Sequence, residues 1–435
     1  MIDIKQIREN PQKYKDACKA KGFAVDIDKL LKIDEQLRDA KKQLQDIVSE
    51  KNHIGKSIPK LSDNEKQSAL AQLSKLKKNE AEHDGNIKTL QPAFDELMLQ
   101  VAQPTDEDVP LGKDDTENVE IRREGEIRRF DFRATAGSAL TSEPKDHVQL
   151  GVDLDIIDIE RGVKLAGTRN YVLKGDGALL HWAVLRFAMD YMVGRGYVPF
   201  SVPVLMKDET MTGTGFFPGS EEQTYQMEKD RLNLAGTAEV PLTAYHMGEI
   251  LKAEELPLKY VAMSSCFRRE AGAAGKDTYG LYRIHQFDKI EQVVICKNSI
   301  EESNKFHDEI LANAEAVMRA LELPYRIVNV CTGDLGRGQV KKFDIEAWMP
   351  SRGNYCETHS ASKFYEFQAR RLNLRYKDPV TKKNLFCHTL NNTVIASPRI
   401  LIPILELYQN ADGSITIPKV LRLYMNGREK IVRGS

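Results

Sequence analysis

Apolar residues in the first quarter of the chain keep a seven-residue beat. Leu30, Leu37 and Leu44 recur every seven positions, and Ile33, Ala40, Ile47 and Ile54 repeat three places later. The pattern stops at "SIPKLSDNEK" and then resumes. Leu73, Ile87, Phe94 and Val101 share one register with Leu76, Leu90 and Leu97. Sustained heptads with charged flanks predict a coiled coil. A break at 59–64 folds the two arms back as an antiparallel hairpin over about 30–101. Each arm of about 28 to 40 residues would reach about 40 to 60 Å. Lys51, Glu80 and His83 interrupt core positions, and Pro92 predicts a kink.

A polar stretch with two prolines, "AQPTDEDVPLGKDDTENVEI", reads as a linker, and the pattern changes beyond it. "GALLHWAVLRFAMDYMVGRGYVPF" predicts a helix from Ala178 to Val193 followed by a strand. "LNLAGTAEVPLTAYHMGEIL" reads as a strand end, a turn and a helix. "LKYVAMSSCFRRE", "YRIHQFDKIEQVVIC", "YRIVNVCTG" and "KKFDIEAWMP" carry alternating or β-branched strand patterns. Their adjacency, without a helix between each pair, predicts an antiparallel sheet with helices packed on it. The fold class is therefore α+β, with a helical hairpin ahead of a sheet domain. The boundaries fall at 1–103, 104–120 for the linker and 121–435.

Composition narrows this only a little. At 41% hydrophobic and 29% charged, the chain has ordinary globular material for two or three domains. Basic residues number 63 and acidic ones 64, so any contact with a polyanion must be local. The opening "MIDIKQIREN" lacks the apolar core of a signal peptide, and no apolar run approaches membrane-helix length. A cytoplasmic protein with no membrane partner is expected. The six cysteines form no CxxC pair, so reduced thiols and no zinc are expected. The hairpin lysines, among them Lys41, Lys42, Lys51, Lys56, Lys75, Lys77 and Lys78, suit either phosphate contacts or a solvated face.

The densest chemistry lies in "CFRREAGAAGKDTYGLYRIHQFDKIE", residues 266–291. "AGAAGKD" misses the GxxxxGK[ST] spacing and "GTGFFPG" misses GxGxxG. A nucleotide would therefore be held by arginines rather than by a glycine-rich helix start. Arg268 and Arg283, on strands flanking the 271–280 loop, can clamp phosphate oxygens bidentately. Phe267 and Phe287 offer flat faces to a base. Arg399 lies where a helix begins. Glu357 and Ser360 supply oxygens suited to Mg²⁺. Glu239 and Glu291 can accept bonds from an ammonium group. Taken singly, each residue has a plainer explanation as an ion pair, a core ring or a surface charge. Only their joint occurrence points to chemistry.

The chain resembles the seryl-tRNA synthetases, class II aminoacyl-tRNA synthetases, over essentially its whole length. "GYVPFSVPVL" resembles motif 1, a dimer-interface element; "FRREAGAAGKDTYGLYRIHQFDKIE" resembles motif 2; "NNTVIASPRILIPILE" resembles motif 3. "TAEVPLT", "FQARR" and "HTLN" are further matching segments. The resemblance implies serine contacts at Thr237, Glu239, Arg268, Glu291 and Thr393. It implies an ATP site of Arg268, Arg269, Glu270, Ile284, Phe287, Glu357, Thr358, His359, Ser360 and Arg399. Mg²⁺ would enter with ATP at Glu357 and Ser360, and Arg268 and Arg399 would be the catalytic cations. Lys276 and Tyr279 stand where the family commonly has arginines, and Thr393 where the bacterial form has serine. ATP, L-serine and tRNA-Ser are the implied substrates, with tRNA-Sec left open, in a homodimer. The hairpin would reach the long variable arm of the tRNA. Two rivals stay open: a catalytically silent relative built on this scaffold, and a ligase that loads a carrier protein.

Overall fold

A computed structural model describes residues 1–128, 130, 144–272, 275 and 277–434. Two compact units emerge, Met1–Pro104 and Thr105–Ser435. In the first, the heptads form α1 (Ile27–Ser57) and α2 (Asp63–Gln100), joined through a short 3₁₀ turn at Ile58–Lys60. Two short helices, Ile4–Glu9 and Pro11–Ala20, precede them. Asp26 caps α1 by accepting from the Lys29 amide at 2.8 Å. At the start of α2 the Glu65 carboxylate accepts from the Ser62 amide and hydroxyl, at 2.9 and 2.6 Å. Such caps satisfy amides that have no partner within the helix. The seam buries Leu30, Ile33, Leu37, Ala40 and Ile54 from α1, and Ala69, Leu76 and Met98 from α2. The two interruptions Lys51 and Glu80 meet each other as an ion pair across the seam. The helix α2 continues through Pro92.

The second unit is built on an eight-stranded sheet. In chain order its strands are β1 (Val119–Glu124), β2 (Val198–Phe200), β3 (Leu258–Phe267), β4 (Gln286–Cys296), β5 (Tyr325–Asn329), β6 (Lys341–Met349), β7 (Asn354–Tyr365) and β8 (His388–Ser397). In space they run β1-β5-β6-β7-β8-β4-β3-β2. Every neighbouring pair is antiparallel except β2 with β3. The predicted antiparallel architecture is thus present. Its middle, however, is β7 and β8, two stretches whose sequences carry no clear strand alternation.

Strand alternation divides the core between the two faces of the sheet. Val261, Ile290 and Val294 pack with α3 (Asp176–Gly194) and α5 (Ile300–Ala320), through residues such as Val184, Ile310 and Ala314. Tyr260, Ala262, Val293 and Ile295 belong to a second cluster with Ala238 and Leu242 around α4 (Glu239–Ala244), and with Ala369 and Leu372 of α6 (Phe367–Leu372). The expected linker is firmly tied to this unit. Asp106 accepts from the Tyr365 hydroxyl at 2.7 Å and pairs with the Lys363 ammonium at 2.6 Å. Val109 is buried with Val328, Val330 and Leu335. Among the described residues, no helix is long and apolar enough to cross a membrane.

Candidate active site

The face of β4 that carries Val293 and Ile295 also carries Phe287, Lys289 and Glu291, because these residues alternate in step. β3 pairs with β4 from Gln286↔Phe267 to Ile295↔Leu258, which leaves Arg268 just beyond the end of β3. Arg268 and Arg283 therefore sit outside the strands, not on them as the sequence pattern suggests. The Arg268 amide donates to the His285 carbonyl at 2.9 Å. Its guanidinium lies over the Phe287 ring, 5.2 Å from the centroid. Gly236 makes room beside it: a Cβ there would come within 3.3 Å of the Phe267 carbonyl and 3.5 Å of the Arg268 side chain.

On the far side of the same cleft, Arg399 precedes the helix α7 (Leu401–Leu407). Its Nε donates to the Tyr282 carbonyl and its Nη1 to the Glu357 carbonyl, both at 3.1 Å. The guanidinium stacks on the Tyr282 ring at 4.4 Å. Arg352 stacks on the same ring at 4.0 Å and pairs with Asp277 at 2.8 Å. These contacts hold the arginines in place while leaving guanidinium edges free to bind an anion. Arg268, Arg399, Phe287, Ile284, Glu357 and Thr358 all line one open cleft. A neighbouring lobe shares Arg268, Glu270, Glu357 and Arg399. Burial opposes ionisation of Glu357, yet Arg399, Lys342, Arg268 and Arg283 outweigh it and hold its carboxyl below the usual range.

The inner end of the cleft is acidic. Thr237 and Glu239 come from the start of α4, Glu291 from β4, and Thr393 from β8, where Thr393 pairs directly with Glu291. All four are buried. The Glu239 carboxylate accepts from Gln368 Nε2 at 2.9 Å and from Asn391 Nδ2 at 3.1 Å. The same Asn391 amide donates to Glu291 at 2.8 Å. Burial, and then repulsion from Glu291, push the Glu239 carboxyl up to about 7. Lys289, itself buried, forms an ion pair with Glu291 and donates to the Thr237 hydroxyl at 2.8 Å.

Other residues of the predicted set stand apart from the cleft wall. Arg269 is exposed; its backbone amide donates to the Gln223 carbonyl at 2.9 Å, and it lines neither lobe. His359 is buried, and its Nε2 donates to the Val394 carbonyl at 3.0 Å. Burial lowers this imidazole to about 4, so it is a neutral part of the sheet core. The Ser360 hydroxyl turns toward Asp344, at 2.6 Å, and lines neither lobe. Glu270 does line the cleft, and its carboxylate is engaged by Arg283 Nη1 at 2.8 Å. Tyr279 donates to Asp146 at 3.1 Å, whereas Lys276 lies outside the described residues. Sequence reasoning missed Lys289, Asn391 and Gln368 as site residues. The signal was available: Lys289 stands two residues from Glu291 on a strand, hence on the same face.

Comparison with known proteins agrees with this geometry. Residues 1–103 match the model of the seryl-tRNA synthetase N-terminal domain, and residues 222–408 match the tRNA synthetase class II core domain (G, H, P, S and T). The serine–tRNA ligase of Deinococcus radiodurans is 44% identical over 429 residues, covering 99% of this chain and 98% of that protein. That of Fervidobacterium nodosum is 41% identical over 430 residues, covering 98% of each. The crystal structure of the seryl-tRNA synthetase from Pyrococcus horikoshii complexed with ATP superposes with a TM-score of 0.91, at 38% identity and full coverage of both chains. The cytoplasmic serine–tRNA ligase of Naegleria fowleri in complex with AMP gives 0.86 at 30% identity, covering 100% of this chain and 99% of that one. With both domains matched, the full length covered and the cleft arginines and buried acids gathered at one end of the sheet, the chain belongs to the seryl-tRNA synthetases.

Proposed function

We propose that this cleft joins serine to ATP and then passes the seryl group to the 3′ end of tRNA-Ser. As an aminoacyl-tRNA synthetase the chain is a ligase for serine; the proposal concerns which groups do the work. The observation that carries it is the convergence of Arg268 and Arg399 on one cleft, with Glu291 buried against its lining residues Lys289 and Thr393, and Glu239 joined to Glu291 through Asn391. A base stacked on Phe287 would place its phosphates between the two guanidinium groups. The α-ammonium of serine would meet Thr237, Glu239 and Glu291, with Thr393 beside them. The serine carboxylate then attacks the α-phosphorus, and pyrophosphate leaves. A ribose hydroxyl of the tRNA next attacks the acyl carbon, and AMP leaves. Neither step needs a nucleophile from the enzyme. Positioning and charge neutralisation suffice.

Mg²⁺ fits as a partner of ATP more than as a resident ion. Among the described residues no cluster of three or more acids, histidines or cysteines could hold a metal. Mg²⁺ typically takes one or two carboxylates plus substrate phosphates, and Glu357 faces the cleft as a charged acid. Bound there, the ion would neutralise phosphate charge and orient the leaving pyrophosphate. Ser360 would have to leave Asp344 to join it.

A homodimer is also proposed. It rests on the motif 1 resemblance and on exposed apolar side chains: Val198 within that segment, on the edge strand β2, with Trp182 on α3 and Met263 on β3. A cytoplasmic setting follows from the proposed substrates.

The deciding experiment is serine-dependent ATP–pyrophosphate exchange. Exchange with serine, strongly reduced with alanine or threonine, is the expected result. Arg268→Ala should abolish exchange while the far-UV circular dichroism stays native. An absence of exchange in the wild type would favour a silent relative; normal exchange in Arg268→Ala would overturn the assignment of that residue.

A further inference from the structure

The buried lysine Lys289 has no part in the scheme above, yet it touches the acids and hydroxyls given to serine. Its ammonium group meets three oxygen acceptors: the Glu291 carboxylate, the Thr237 hydroxyl at 2.8 Å and the Thr393 hydroxyl at 3.4 Å. An ammonium group has three N–H donors and no acceptor, so this set is complete for it. The same description fits the α-ammonium of an amino acid. We propose that Lys289 is a resident counter-ion of the serine pocket: its side chain holds the place of the substrate ammonium beside Glu291, Thr237 and Thr393, and is displaced when serine enters.

The geometry explains why such a group is needed. Asn391 Nδ2 donates to Glu291 at 2.8 Å and to Glu239 at 3.1 Å, so the two carboxylates lie on either side of one amide. Two like charges that close, and buried, retain a proton unless a cation compensates them. Few other charged groups face Lys289. Arg268, exposed and stacked over Phe287, acts on Glu239 more weakly than Lys289 does. Cys266, from β3, is a buried thiol pushed up by burial and therefore neutral. His359, from β7, is the neutral core imidazole described above. Lys289 is thus the buried cation among them. Without it, an incoming ammonium would have to expel a proton before it could form its ion pairs. With it, serine binding above pH 7 is an exchange of one ammonium for another. The long, flexible lysine side chain makes that exchange mechanically simple.

This inference rests on the serine reading of the pocket, and its test separates the two. The serine KM in the exchange assay is measured from pH 6 to 9 for the wild type and for Lys289→Met. The methionine keeps the apolar bulk and removes the charge. The acid limb of the profile should move up by about one pH unit or more, which raises the serine KM about fivefold or more at pH 7. The KM for ATP should stay unchanged. A uniform rise in serine KM at every pH, or an equal rise for ATP, would mean a merely structural lysine and would overturn the proposal. Should the variant fail to fold, calorimetry of serine binding to the wild type decides. In two buffers of different ionisation enthalpy at pH 8, binding should release almost no protons. Release of about one proton per serine would overturn the proposal. A wild type without serine-dependent exchange would sink the parent reading instead.

Discussion

Glu239 illustrates how a single buried carboxyl sets a measurable pH response. Burial and the neighbouring Glu291 push it up to about 7. Only its ionised form can pair with an ammonium group, so serine must compete with a proton below that pH. The kcat/KM for serine is expected to fall about tenfold per pH unit below pH 7 and to level off above it. Glu239→Gln should lower the value everywhere and remove this limb; an unchanged limb in that variant would assign the titration to another group. Stability of the substrate-free fold carries the opposite sign. A carboxyl whose folded pKa lies above its unfolded value loses stabilisation as pH rises through about 7. The sequence made Thr237, Glu239, Glu291, Thr393, Arg268 and Arg399 legible through their motifs; Arg268, Arg399 and Thr393 line the cleft, and Thr237, Glu239 and Glu291 are buried. Lys289 shares a strand face with Glu291 by its spacing, but a lysine at an alternating strand position reads as solvent-facing; its burial against Glu291, Thr237 and Thr393 shows only in the structure. His359 and Ser360 fail to reach the cleft for a related reason. Motif spacing fixes their place on a strand, but an irregularity between the pairs Ile345↔His359 and Glu346↔Glu357 leaves Thr358 as an extra residue and re-aims the strand beyond it.

Among the elements, the hairpin was the easiest to read and the central strands the hardest. Heptads report one continuous apolar seam, and the structure places that seam where the leucines and isoleucines recur. Leu37 is 4% exposed within it. Leu37→Ala should cost about 2 to 5 kcal/mol of hairpin stability, seen as a lower first transition in thermal denaturation followed by circular dichroism. By contrast, Lys51 and Glu80 keep 29% and 30% of their side chains exposed. Replacing Lys51 alone by Met should cost less than about 1 kcal/mol, since half-solvated pairs contribute little. A loss as large as that for Leu37→Ala would show that the pair fixes the register of the hairpin. The strands β7 and β8 escaped the pattern because their inward positions are polar. His359, Thr389, Asn391, Asn392 and Thr393 are all buried. Those polar side chains serve the cleft or its supporting hydrogen bonds, such as Asn392 Nδ2 donating to the Ile310 carbonyl at 2.8 Å. The strands nearest the chemistry therefore look least like strands.

At the scale of the whole molecule, the proposed division lies between activation of serine and recognition of a large nucleic acid. All groups proposed for activation lie within Thr105–Ser435, a unit with its own sheet and its own cores on both faces. The segment after Pro104 is held by Asp106 and Val109 to that unit. Activation needs only ATP and serine, so it should not require the heptad arms. Transfer needs a bound tRNA, and the arms offer lysines on a long, regular surface where phosphate contacts add affinity in a salt-dependent way. Deletion of residues 30–101 is therefore expected to leave serine-dependent ATP–pyrophosphate exchange near the wild-type rate and to reduce seryl-tRNA formation to background. Measuring both on one preparation makes the comparison internal. A parallel loss of the two activities would mean that the hairpin supports the folding of the catalytic unit. Retention of both would mean that tRNA is held elsewhere. Neutralising Lys41, Lys42, Lys75, Lys77 and Lys78 together gives the finer version of the test. It should weaken tRNA binding and flatten its dependence on salt concentration while the serine KM stays constant, because a phosphate that no lysine neutralises keeps its counterions. If the salt slope is unmoved, those lysines are a solvated face and the arms grip the tRNA through other side chains.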